Sequence, residues 1–149
     1  SDVPFFVHGT GAARCTGRGD IVEPISSERR RGVVLVSPPV ATSTRLVFQE
    51  LNPSDYPVGR SANALQAPAE RLFPIIRETR LALLQATGHE FALSGSGPTL
   101  FAWIDEAAER RRVVASTRRL GLRVWSTATV RDTARMSPWR GDRVFSERR

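Results

Sequence analysis

The sequence predicts an α+β fold, an antiparallel sheet with helices packed on one face. Three observations predict it. Val33-Val34-Leu35-Val36 is a continuous apolar run rich in β-branched residues and stopped by Pro38-Pro39, the pattern of a buried strand. Leu72, Phe73, Ile76, Leu83 and Leu84 keep helical spacing ahead of Gly88. Between residues 91 and 104 two short apolar runs flank Ser94-Gly95-Ser96-Gly97-Pro98, which reads as strand, tight turn, strand.

Taken in order, residues 3–8 are a short apolar run, and Asp2 ahead of them is suited to cap a short helix. Gly9, Gly11, Gly17 and Gly19 bracket segments 12–16 and 20–24, which predicts a hairpin with tight turns. A charged break at 28–31 precedes the strand at 33–36. Thr42 or Ser43 opens a short helix reaching about Leu51, with Leu46, Val47 and Leu51 on one side. Residues 52–60 are loop chemistry. Ala67 to Thr87 reads as the longest helix, with Pro68 in its first turn and Gly88 as its C′ residue. Pro74 inside it marks a kink or the true start. Phe91–Leu93 and Thr99–Ile104 are strands, and Asp105 is placed to cap a helix ending near Leu120-Gly121. Leu122–Thr127 is a last strand. Residues 131–149 hold few apolar residues and six arginines, and read as a mobile tail.

The 149 residues fit one domain, or one and a part. An apolar fraction of 40% with 25% charged residues is a globular composition. No apolar run approaches the ~18 residues of a membrane span, and the N-terminus lacks a secretory pattern. Cys15 is the single cysteine, so no internal disulfide can form, which points to a reducing, cytoplasmic setting. The net charge is +7, and all 22 basic residues are arginine. Residues 1–105 are neutral, with ten arginines and ten acids. Residues 106–149, with twelve arginines and five acids, supply the whole excess. A basic end of this kind attracts phosphates, and it is also what an Arg-for-Lys composition leaves on a solvated helix and tail.

Few residues point to chemistry by themselves. The Ser94-Gly95-Ser96-Gly97 turn allows successive backbone N–H groups to face one concavity, an anion nest, with Ser94, Ser96 and Thr99 hydroxyls beside it. An ordinary strand-to-strand turn has the same composition. It is not a Walker A loop, since no Gly-Lys-Ser/Thr follows. His8 and His89, the two histidines, have no zinc spacing, and no metal-ligand set emerges. Phe48 on the short helix reads most simply as core.

Ser1-Asp2-Val3-Pro4-Phe5-Phe6-Val7 ahead of the glycine hairpin, and Leu93-Ser94-Gly95-Ser96-Gly97-Pro98-Thr99-Leu100-Phe101-Ala102 further on, resemble in order and separation the C-terminal half of the 4-diphosphocytidyl-2-C-methyl-D-erythritol kinases. These belong to the superfamily of galacto-, homoserine, mevalonate and phosphomevalonate (GHMP) kinases. Val40–Phe48 and Asn63-Ala64-Leu65-Gln66-Ala67-Pro68-Ala69 extend the resemblance, which covers about residues 1–130. It implies the C-terminal domain of the GHMP kinase fold over residues 33–130. Residues 1–32 become the remnant of an N-terminal domain, and 131–149 a basic tail.

The implied reaction is transfer of the ATP γ-phosphoryl group to the 2-hydroxyl of diphosphocytidyl methylerythritol, in non-mevalonate isoprenoid synthesis. ATP and Mg²⁺ are the implied cofactors. By resemblance Asp2 is the general base, and Phe48 stacks on the substrate cytosine with Thr44 on the same segment. Ser94, Gly95, Ser96 and Gly97 line the cleft near the reacting groups. The family's lysine and its Gly-Leu-Gly-Ser-Ser ATP loop have no counterpart, and Asn63-Ala64 replaces a usual Asn-Asp pair. The expectation is therefore a fragment that lacks the ATP-binding half, is inactive alone, and is completed by that half in cis or as a separate chain. The alternative is a non-catalytic anion or nucleic-acid module using residues 106–149. The sequence does not favour nucleic acid as a partner, because the arginines lack interleaved aromatics and no helix-turn-helix or zinc-finger signature appears.

Overall fold

The computed structural model describes residues 3–25, 30–56 and 63–130. The expectations for Asp2 and for residues 131–149 lie outside these. The chain divides into two compact units, one spanning Arg31–Thr129 and the other containing the N-terminal residues.

In the N-terminal unit, helix α1 (Val3–His8) precedes a hairpin of β1 (Ala13–Thr16) and β2 (Ile21–Pro24). Ala13 pairs with Pro24 and Thr16 with Ile21. The turn requires Gly17 and Gly19 at positive φ, +66° and +84°. Gly19 N–H closes it on the Thr16 carbonyl, and Arg18 N–H donates to the Asp20 carboxylate at 2.7 Å.

The larger unit runs β3 (Gly32–Ser37), α2 (Thr44–Gln49), a 3₁₀ turn (Pro53–Asp55), α3 (Gln66–Leu72), α4 (Pro74–Thr87), β4 (Ala92–Leu93), β5 (Leu100–Trp103), α5 (Ala107–Arg119) and β6 (Arg123–Ala128). Its sheet has the order β4-β5-β3-β6, antiparallel throughout. Strand alternation sends Val34, Val36, Leu93, Leu100 and Ala102 to one face. There they join Val47, Ile76, Leu83 and Val113 from the helices in one buried cluster. Each fully covered Leu or Ile contributes about 1.5–3 kcal/mol relative to exposure. The α+β architecture matches the sequence expectation.

Four local readings change. The helix expected over 67–87 is two helices. Phe73, as the residue before a proline, leaves the helical region (φ −130°, ψ 77°), and Pro74 has no N–H with which to continue the ladder. The covered side of α4 is Ile76, Thr79, Leu83 and Thr87, whereas Leu84 stays exposed. On α2, Val47 is buried and Leu46 is exposed. Asp105 does not cap α5, whose N-cap is Glu106. Asp105 instead accepts the Gly32 N–H at 3.0 Å and lies 3.5 Å from Arg31, bracing the start of β3.

Candidate functional site

The helix and turn singled out from sequence meet at one end of the sheet. Ser43 caps α2, its hydroxyl accepting the Leu46 N–H. The next residue, Thr44, holds its Oγ1 2.8 Å from the Ser96 Oγ. Thr44 and Phe48 are four apart and so share a helix face, and Phe48 is 57% exposed. Thr44, Phe48 and Ser96 thus form one continuous polar-aromatic surface.

The turn itself is tightly specified. Ser94 N–H donates to the Thr99 carbonyl (2.9 Å), and Gly97 N–H to the Ser94 carbonyl (3.0 Å). Gly95 and Gly97 take φ of +56° and +86°, which side-chain-bearing residues avoid. A Cβ at Gly97 would also come within 2.9 Å of the Leu93 side chain. Among the described residues neither the Gly95 nor the Ser96 N–H meets a protein acceptor. These are the donors that an anion nest needs.

Two polar clamps hold this surface; Asn63 entered the sequence reading only as part of the family resemblance, and Arg71 did not enter it. Asn63 lies ahead of α3. Its side-chain amide donates to the Leu93 carbonyl (3.0 Å) and the Gly95 carbonyl (2.7 Å), while its Oδ1 accepts the Leu65 N–H (3.0 Å). Gln66 adds an acceptor for the Leu93 N–H. The Asn63-Ala64-Leu65-Gln66 string was a usable signal, but its target lies thirty residues away. The second clamp is Arg71 on α3. Its guanidinium grips both Asp55 oxygens (2.9 and 2.8 Å), the Glu50 carboxylate and the Glu50 carbonyl. Hydrogen bonds from Arg71 hold the Asp55 carboxyl at about 2, well below its ordinary value, and push the Arg71 guanidinium further up. This fixes the chain leaving α2.

Among the described residues no group of three or more His, Cys, Asp or Glu side chains is placed to hold a metal ion. None of their helices is long and apolar enough to cross a membrane.

Residues 50–120 match the sequence model of the C-terminal domain of GHMP kinases. A 4-diphosphocytidyl-2-C-methyl-D-erythritol kinase of Shouchella clausii is 27% identical over 150 residues, covering 88% of this chain and 50% of the relative. One from Pelotomaculum thermopropionicum is 30% identical, covering 87% and 52%. A crystal structure of 4-(cytidine 5'-diphospho)-2C-methyl-D-erythritol kinase superposes with a TM-score of 0.71 at 28% identity, over 86% of this chain and 53% of the other. The chain spans about half the length of the curated relatives it matches. Sequence match and superposition point the same way: residues 50–120 match the C-terminal domain of the GHMP kinases, and the chain shares the fold of a solved relative over 86% of its length.

Proposed function

We propose that this chain supplies the acceptor-substrate side of a 4-diphosphocytidyl-2-C-methyl-D-erythritol kinase, which phosphorylates the substrate 2-hydroxyl from ATP in isoprenoid synthesis. The observation that carries the reading is the 2.8 Å contact between Thr44 and Ser96. It puts an exposed aromatic and a phosphate-type glycine turn on one surface, in a chain aligned with the second half of enzymes bearing that name. Phe48 is suited to stack on the cytosine ring. The free N–H groups of the Ser94–Gly97 turn are suited to the diphosphate or to the transferring phosphoryl group. Asp2, outside the described residues, is the general base by resemblance. A carboxylate suffices there, because the alcohol becomes acidic only as its bond to phosphorus forms. ATP would be held largely by residues this chain does not contain, since it has no lysine and no Gly-Leu-Gly-Ser-Ser loop.

The test is a chimera that joins the first half of the Pelotomaculum relative to residue 1 of this chain. ATP-dependent phosphorylation of diphosphocytidyl methylerythritol is followed by mass spectrometry. The chimera is expected to turn over, and the 149-residue chain alone is expected not to. Phe48→Ala should raise KM about tenfold with kcat nearly unchanged, and Asp2→Asn should lower kcat by at least ~10². A folded chimera without turnover, or one indifferent to Asp2→Asn, would overturn the reading.

A further inference from the structure

The sheet has a second face that this site does not use. Strand register sets its rows. Trp125, Leu35 and Phe101 stand side by side on β6, β3 and β5, and Thr127, Val33 and Trp103 form the next row. Alternation points them away from the core that Val34, Val36, Leu100 and Ala102 enter. Trp103 and Trp125 are 45% and 48% exposed. The Phe101 and Trp103 rings meet edge to face at 5.7 Å, and the Arg31 guanidinium lies 4.8 Å over the Trp103 ring. Beside Trp103, where β4 is only two residues long, a cleft of about 320 Å³ is lined by Arg80, Glu90 and the Phe101–Trp103 segment.

Charge selects the occupant. Arg123 follows the same alternation as Trp125, and Arg31, which shares its charge with Asp105 at 3.5 Å, flanks this face. A second copy would set these arginines against their own equivalents. Residues 131–149, with six arginines and three acids, repel them as well. A polyanion carrying flat apolar rings is matched on both counts. We propose that this face binds single-stranded nucleic acid, with one base stacking on Trp125, another on the Arg31 guanidinium that lies over Trp103, and phosphates meeting Arg123. Base faces are closed off in a duplex, so the platform selects single strands. Trp125 and Phe101 are two strand spacings apart, about 10 Å, which leaves room for separately stacked bases.

The test uses the full 149-residue chain and a fluorescein-labelled oligouridine of about 12 nucleotides, within the usual site size for such surfaces. Fluorescence anisotropy is read at about 50 and 200 mM salt. Saturable binding that weakens with salt is expected. Trp103→Leu and Trp125→Leu, which keep apolar bulk, should each weaken it about tenfold without changing the circular dichroism spectrum. Duplex RNA of the same length should compete poorly. Removal of residues 131–149 should leave the dependence on both tryptophans in place. Absence of binding at roughly 100 µM chain would overturn the proposal. So would binding that both tryptophan variants leave unchanged, which would assign it to the arginines alone. Self-association abolished by Trp103→Leu with no oligonucleotide effect would assign the face to a second copy instead.

Discussion

Replacing Asn63 tests whether the glycine turn is held from outside itself. Its side chain makes three hydrogen bonds, to Leu93, Gly95 and Leu65. At about 0.5–1.5 kcal/mol net each, they sum to about 1.5–4.5 kcal/mol. Asn63 is half-buried, so water recovers part of the loss, and Asn63→Ala should cost about 2 kcal/mol. For a unit of about 100 residues that is a fall of about 10 °C in Tm. Asn63→Asp is the sharper variant. It keeps the acceptor for Leu65 but sets a carboxylate oxygen against two carbonyl oxygens. At pH 7 it should be no more stable than the alanine variant. As pH falls through about 4 the new carboxyl protonates and donates again, so its deficit relative to the parent at the same pH should shrink. Urea denaturation followed by tryptophan fluorescence reads both variants. An Asn63→Asp protein as stable as the parent at pH 7 would refute the argument, since the amide could not then be donating to the turn.

Other predictions rest on separate contacts. Gly32→Ala would drive a Cβ into the Ile104 carbonyl and the Arg110 guanidinium, and should lower the urea midpoint by the equivalent of about 1–3 kcal/mol. Leu83→Ala, at a fully covered position on α4, should cost about 2–5 kcal/mol in the same assay. Thr44→Val and Ser96→Ala should give a coupling of about 0.5–1 kcal/mol in a double-mutant cycle, and additive losses would mean the two hydroxyls do not bond. Asp55 and Glu109 sit at about 2 against ordinary values of 3.8 and 4.5, chiefly through hydrogen bonds from Arg71 and from Arg112. Because folding lowers both, their stabilisation is complete above about pH 4.5 and is lost as pH falls toward 2. Acid titrations of Asp55→Asn and Glu109→Gln should therefore be flatter than that of the parent.

The elements legible in the sequence are those whose cause is local. Val33–Val36 announces a strand by its run of apolar residues, and Gly88 announces a helix end by the left-handed turn it permits (φ +75°). Even the break at Phe73 was written in the Pro74 that follows it. The turn at Ser94–Gly97 was visible through its glycines, but what fastens it was not, because Asn63 reaches it across 32 residues; nor was the Arg71 clamp on the chain leaving α2, which finds Asp55 across 16. The second face of the sheet is the clearest case. Along the chain, Phe101 and Trp103 are separated from Trp125 by a whole helix, so in the linear sequence the arginines lack interleaved aromatics. In the sheet, register brings Trp125 and Phe101 to either side of Leu35. Period-two alternation then gives β5 two roles, with Leu100 and Ala102 closing the core and Phe101 and Trp103 facing out. A stacking surface made this way has no sequence spacing of its own. It appears only once strand order and register are known, and substitutions at outward positions such as Trp103 can change what the face binds while the inward residues keep the fold.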